Sequence, residues 1–139
     1  MTGGSRGIGR AIVTAMAKAG ANVAFTFQTS KEPAEALAKG GTSVRVLNVS
    51  TIKPLDVAAV IANAAGVRAI VVAEEASVIG GLGAAVVEAL RGVRHAPVEF
   101  VGVRDSFGAS AENYELLLRH YGLTADAVAG AVERLLRAT

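Results

Sequence analysis

A glycine-rich stretch at residues 2–9 reads Thr-Gly-Gly-Ser-Arg-Gly-Ile-Gly and has the composition of a phosphate-binding loop. Gly3, Gly7 and Gly9 would let the backbone turn sharply and bring its N–H groups against the pyrophosphate of a dinucleotide at a helix start. Such a loop normally follows a strand, which holds it at the edge of a sheet. Only Met1 precedes it here, so we expect a vestigial loop that binds no cofactor, with loose anion binding by its amides as the alternative.

The other candidates for chemistry are two adjacent carboxylates and two imidazoles. Glu74 and Glu75 end a predicted strand, and we expect them to cap a helix or face solvent, because catalysis by paired carboxylates needs a partner acid and a cleft. His95 and His120 are the only histidines, and no carboxylate pattern places them around a metal. The chain has no cysteine. We therefore predict no catalytic residue, no cofactor and no metal site.

Composition places the chain among globular single domains. It has 139 residues, of which 52% are hydrophobic and 19% charged, and its net charge is +2. The basic residues are scattered and do not alternate with aromatics, which argues against nucleic-acid binding. The apolar runs are too short to cross a bilayer, so we expect a cytoplasmic protein with no membrane contact.

Helices and short apolar strands alternate along the whole chain, with no linker between them. Strands are predicted over residues 22–27, 43–49, 69–73 and 98–103, and helices over 5–19, 29–39, 57–66, 77–90, 114–121 and from 124 onward. This alternation predicts a single α/β domain over residues 1–139, with a three-layer, doubly wound, Rossmann-like architecture. The predicted sheet has four mostly parallel strands in the order 2-1-3-4.

The loops that follow the third and fourth strands contain small and polar residues. We expect Ser77 to cap the next helix, and the glycines of Gly-Gly-Leu-Gly at residues 80–83 to fall within that helix and allow close packing on the sheet. Asp105 and Ser110 are expected to organise a turn through bonds from side chain to backbone. His120 is expected to lie at the surface, and Thr124 is expected to cap the last helix.

Residues 2–39 resemble the N-terminal part of short-chain dehydrogenases, most closely the 3-oxoacyl-carrier-protein reductases. The resemblance rests on the glycine-rich stretch, on Arg-Ala-Ile at residues 10–12 and on Lys-Ala-Gly-Ala-Asn-Val-Ala-Phe at residues 18–25. It implies a nicotinamide cofactor and a catalytic Tyr with Lys four residues later. At that spacing, however, Leu118 follows Tyr114 and Ala125 follows Tyr121. The catalytic pair of that family is therefore absent.

Residues 42–136 resemble the C-terminal domain of transketolase and its thiamine-diphosphate relatives. The resemblance rests on strings in family order: Val-Arg-Val-Leu-Asn from 44, Thr-Ile-Lys-Pro-Leu-Asp from 51, Ala-Glu-Glu-x-Ser-Val-Ile-Gly-Gly-Leu-Gly from 73, Asp-x-Phe-Gly-x-Ser from 105 and Tyr-Gly-Leu-Thr from 121. It implies that two preceding domains hold thiamine diphosphate and its metal through a Gly-Asp-Gly motif, which this chain lacks. Ala76 and Ala111 also depart from the residues common in that family.

Two segments, 1–40 of dehydrogenase type and 41–139 of transketolase type, would join near Gly40 and Gly41. The leading hypothesis is therefore an engineered or recombined chimera that is not an enzyme and has no catalytic function of its own. A crevice for weak, adventitious ligands is expected between the first and third strands. Its predicted borders are Gln28, Thr29, Ser30, Glu75 and Ser77.

Two alternatives remain open from the sequence. The first is a C-terminal subunit or domain of a thiamine-diphosphate-dependent transketolase, which would have a partner chain. The second is a weak NADP- or anion-binding module. The leading hypothesis requires no partner, although the N-terminal helix could exchange between two copies and form a homodimer.

Overall fold

The chain is described by a computed structural model that covers residues 22–24 and 42–138. It divides into two compact units, Met1–Asp56 and Val57–Thr139. In the first unit, β1 (Asn22–Ala24) pairs in parallel with β2 (Thr42–Arg45). Strand β2 ends four residues earlier than predicted, whereas residues 25–27 of the predicted first strand lie outside the described residues. The direction and pairing of the two strands agree with the predicted order.

The second unit consists of two parallel strands and four helices. Its elements, in chain order, are α1 (Val57–Ala64), β3 (Ile70–Ser77), α2 (Leu82–Leu90), β4 (Val98–Val103), α3 (Tyr114–His120) and α4 (Ala125–Ala138). Strands β3 and β4 pair in parallel, with Val72 opposite Phe100, and α2 is the crossover helix between them. The third and fourth strands are thus neighbours and parallel, as predicted.

Helices cover both faces of the β3–β4 sheet. Successive residues of a strand point to opposite faces, so Glu99 and Phe100 lie on different sides. Gly83 of α2 contacts the ring of Phe100, whereas Arg134 of α4 pairs with the carboxylate of Glu99. The unit therefore has three layers, with α2 on one side of the sheet and α4 on the other.

Small aliphatic side chains form the buried core of the second unit. Each of its six elements contributes at least one: Val60, Val72, Val86, Leu90, Val101, Leu118, Val128 and Ala131. No buried polar or charged side chain is found among the described residues. The aliphatic core explains why a chain with only 4% aromatic residues folds as an α/β structure.

The α/β, Rossmann-like fold class is confirmed, and several local predictions agree with the structure. Gly66 has a φ of 71°, the left-handed conformation that ends a helix, just beyond α1. The hydroxyl of Thr124 accepts the Ala127 N–H at 3.2 Å and so caps α4 as predicted. The pairing of the first strand with the third, and the single-domain organisation, stay predictions.

Candidate functional site

The carboxyl end of β3 meets the start of α2 through the side chain of Glu74. One carboxylate oxygen of Glu74 accepts the Leu82 N–H at 2.7 Å, and the other accepts the Gly83 N–H at 3.0 Å. These N–H groups have no partner within the helix, and the N-cap residue Gly81 has no side chain to offer. The predicted capping role of this carboxylate pair is therefore confirmed for Glu74.

The same contact fills the position where an α/β protein commonly binds a phosphate. The N-terminus of a helix carries partial positive charge and free N–H groups, which together attract anions. In this chain the two N–H groups already hold an internal carboxylate, whose negative charge would repel a phosphate. The start of α2 is consequently a structural junction.

The glycines of the β3–α2 connection make room for that junction. A Cβ on Gly81 would lie 2.1 Å from Glu74 Oε2 and 2.3 Å from the Ser77 carbonyl oxygen. Gly80 has a φ of 72°, which residues with a side chain rarely adopt. Contrary to the prediction, Gly80 and Gly81 precede the helix. Gly83 lies inside it, and a Cβ there would approach Phe100 to 2.8 Å, which confirms the predicted close packing.

The side chain of Glu75 links β3 to α3 by a hydrogen bond at the carboxyl end of β3, the same end as the Glu74 contact. The Tyr114 hydroxyl donates a hydrogen bond to Glu75 Oε2. This bond raises the pKa of Tyr114, because it stabilises the neutral phenol, and desolvation and the nearby carboxylate charge act in the same direction. Tyr114 is half exposed, so its hydrogen bond to Glu75 is a surface contact between α3 and β3 and not part of a buried acidic site.

Ser77 does not cap α2 as predicted. It is the last residue of β3, and its hydroxyl accepts the Ile79 N–H at 3.1 Å, which tightens the turn out of the strand. The helix begins at Leu82, beyond the reach of a capping side chain at position 77. The capping group comes instead from a residue farther back in the strand.

Three of the five residues predicted to border the crevice lie outside the described residues. Glu75 and Ser77 are described and have the partners given above, whereas Gln28, Thr29 and Ser30 are not covered. The same is true of Gly3, Gly7 and Gly9 in the glycine-rich stretch. The crevice and the vestigial loop therefore stay predictions.

The loop between β4 and α3 is held by Tyr121, a role that the sequence analysis missed. Its hydroxyl accepts the Ala109 N–H at 2.6 Å and donates to the Phe107 carbonyl oxygen at 3.0 Å. No side-chain hydrogen bond of Asp105 or Ser110 is found in the described part of the chain, so the turn is not organised as predicted. The side chain of Phe107 is 98% exposed.

Histidines and carboxylates do not converge in the described ranges. Within residues 22–24 and 42–138, no group of three or more His, Asp or Glu side chains could hold a metal ion. His120 is exposed, as predicted, and makes an edge-on ring contact with Tyr121. No helix in the described part is long and apolar enough to cross a membrane.

The parallel strands, the crossover helix and the glycine-rich junction define an α/β domain of the Rossmann-like class. Residues 21–128 match the family model of the transketolase C-terminal domain. The chain belongs to that family.

Named relatives agree with this assignment. The chain is 44% identical over 102 residues to a 6-deoxy-6-sulfo-D-fructose transketolase subunit from Clostridium sp. (strain MSTE9), covering 73% of this chain and 31% of that protein. It is 40% identical over 108 residues to 1-deoxy-D-xylulose-5-phosphate synthase from Symbiobacterium thermophilum, covering 76% of this chain and 16% of that protein. The chain thus spans a third or less of these relatives.

A solved structure gives the same result. The chain resembles a split gene transketolase, described as an inactive β4 tetramer, with a TM-score of 0.64 and 38% sequence identity. The likeness covers 90% of this chain and 36% of that chain.

These findings change four predictions. The chimera hypothesis is wrong, because the family match covers residues 21–128 and so spans the supposed junction at Gly40 and Gly41. The dehydrogenase resemblance of residues 2–39 finds no support. The prediction that the chain is not an enzyme is also wrong, because its relatives are transketolase subunits. The expectation that the chain requires no partner finds no support, since one relative is named as a transketolase subunit and the similar solved structure as a β4 tetramer.

Proposed function

We propose that this chain is the C-terminal subunit or domain of a transketolase that depends on thiamine diphosphate. It acts in ketol transfer together with the polypeptide that supplies the remaining two thirds of such an enzyme. The observation that carries the proposal is the family match over residues 21–128. The likeness to a solved structure described as a split gene transketolase supports it further.

The described residues of this chain do not fit the cofactor itself. The sequence has no Gly-Asp-Gly motif, and the described residues offer no cluster of metal-binding side chains. The position at the start of α2, which could hold a diphosphate, is occupied by Glu74. Thiamine diphosphate and its metal therefore belong to the other part of the assembly, and no step of the reaction is assigned to residues of this chain.

The proposal is tested by exchanging the chain into a relative. In the Clostridium transketolase subunit, the C-terminal segment matched by this chain is replaced by residues 21–139, and the hybrid is combined with the partner subunit of that enzyme. Ketol transfer is then measured with thiamine diphosphate and Mg²⁺. We expect the hybrid to retain ketol transfer, whereas the subunit that lacks the segment loses it.

A matched control separates a folding defect from a functional one. The same hybrid with Gly83→Ala keeps every surface residue but disturbs packing between α2 and β4. A hybrid that folds and associates with its partner, yet transfers no ketol group, would refute the proposal. The dinucleotide alternative rests on residues 2–9, which lie outside the described part, and no observation favours it.

A further inference from the structure

The opposite edge of the β3–β4 sheet carries an open depression with a volume of about 530 Å³. Three segments of the second unit line it: the turn that joins α1 to β3, the loop that precedes β4, and the end of α4. Its polar lining consists of Arg68, Arg94 and His95, with Ala96 and Leu136 beside them. The volume falls in the range of small-molecule sites, roughly 300–1,000 Å³.

The charge of this depression is entirely positive. No Asp or Glu is among its lining residues. Within the described residues, neither Arg68 nor Arg94 has an ion pair or a side-chain hydrogen bond. By contrast, Arg134 and Arg137 on α4 each pair with a glutamate. Two uncompensated guanidinium groups in one concave surface create a local positive potential that attracts anions.

His95 adds an oriented ring to the pair of arginines. Its Nδ1 lies 2.8 Å from the Ala96 carbonyl oxygen. A carbonyl oxygen only accepts hydrogen bonds, so Nδ1 is the donor and carries the proton. Nε2 is then the nitrogen left for a ligand, as an acceptor in the neutral ring and as a donor in the protonated ring.

We propose that this depression binds a small phosphate-bearing anion. Arg68 and Arg94 donate to the phosphate oxygens, for which the planar guanidinium is well matched because it offers two parallel N–H donors. The site is distinct from the Glu74 junction, which lies at the other end of the strands. The proposal does not rest on the transketolase assignment, and it concerns only residues of the second unit.

The test uses the full chain labelled with ¹⁵N and titrated with inorganic pyrophosphate and, in a separate arm, inorganic phosphate, at constant ionic strength. We expect saturable amide shifts confined to residues 64–68 and 94–96. Arg68→Ala and Arg94→Ala should each weaken pyrophosphate binding about tenfold, and the Lys variants should weaken it less. The control is Arg119→Ala, which removes an exposed arginine from α3 and should leave the affinity unchanged.

Three results would overturn the proposal. One is the absence of shifts at residues 64–68 and 94–96 at about 10 mM pyrophosphate. Another is an equal loss of affinity in Arg119→Ala, which would indicate binding by net charge alone. The third is a loss of stability in Arg68→Ala and Arg94→Ala without a change in affinity. That outcome would mean that the arginines only offset the negative C-terminal ends of the neighbouring helices.

Discussion

Replacing Glu74 by Ala should destabilise the start of α2, because the Leu82 and Gly83 N–H groups lose their acceptor. Removing a helix cap costs about 0.5–2 kcal/mol, and hydrogen bonds to a charged acceptor are stronger than neutral ones. Glu74 is half-buried, so water replaces only part of what is lost. We expect the free energy of unfolding to fall by about 2 kcal/mol.

A graded series makes this prediction specific to the hydrogen bonds. Glu74→Gln retains an oxygen acceptor without the charge, so its loss should be about 1 kcal/mol, between wild type and Glu74→Ala. Glu88→Ala is the control, because Glu88 is an exposed glutamate on the same helix and should change stability by less than about 0.5 kcal/mol.

Two measurements address the prediction. Urea unfolding followed by circular dichroism gives the free energy of unfolding, and amide hydrogen exchange reports Leu82 and Gly83 directly. Exchange at these two amides should accelerate in Glu74→Ala more than at amides late in α2. If Glu74→Ala and Glu88→Ala were equally stable, with unchanged exchange at both amides, the capping role of Glu74 would be refuted.

The remaining predictions concern packing and a titration on the same unit. Gly83→Ala places a Cβ 2.8 Å from the Phe100 ring and should lower the free energy of unfolding, measured in urea, by about 1–3 kcal/mol. Gly92→Ala is the control and should be nearly neutral, because a Cβ there meets open space. Equal effects of the two substitutions would contradict the packing argument. In a spectrophotometric titration, Tyr114 should ionise at higher pH than its ordinary value of 10.0. Because the pKa of Tyr114 is raised in the folded state, its contribution to stability is complete below pH 10.0 and is lost as pH rises through the folded pKa. Tyr114→Phe should remove that pH dependence. A Tyr114 that titrates at its ordinary pKa would exclude the hydrogen bond to Glu75.

Sequence patterns predicted the type and order of all six elements of the second unit, because these are specified by local rules, but they placed the end of β3 and the start of α2 too early. The predicted β4 has the observed bounds, and the Thr124 cap and the helix stop at Gly66 lie where expected. Each of these features depends on residues within four positions of one another. Hydrophobic period, capping hydroxyls and glycine conformations are all visible at that range.

The site features that sequence analysis missed depend on longer separations. Glu74 caps a helix eight residues downstream, so the nearby Ser77 was a more plausible cap by spacing alone. Tyr121 holds backbone groups of Phe107 and Ala109 that lie 14 and 12 residues before it. Such contacts form only when the strands and helices pack together, so no local sequence pattern predicts them.

The wrong prediction that the chain is a chimera has a different physical cause. A β–α unit on a parallel sheet has the same requirements in dehydrogenases and in transketolases: an apolar strand, a glycine at the turn and an amphipathic helix. Short strings from residues 2–39 can therefore resemble one family although residues 21–39 belong to another. The match over residues 21–128 decides between them, because it follows the order of a whole domain.

The contact between Glu74 and the amides of Leu82 and Gly83 fixes the number of residues that can separate them. An insertion or deletion at residues 78–81 would carry the first turn of α2 away from the carboxylate. Residues 110–112, which make none of the hydrogen bonds that hold the β4–α3 loop, could lengthen without that penalty. Among proteins of this fold, insertions and deletions should therefore be more frequent in the β4–α3 loop than in the β3–α2 connection. Grafted peptides or tags should be tolerated in the β4–α3 loop and not in the β3–α2 connection.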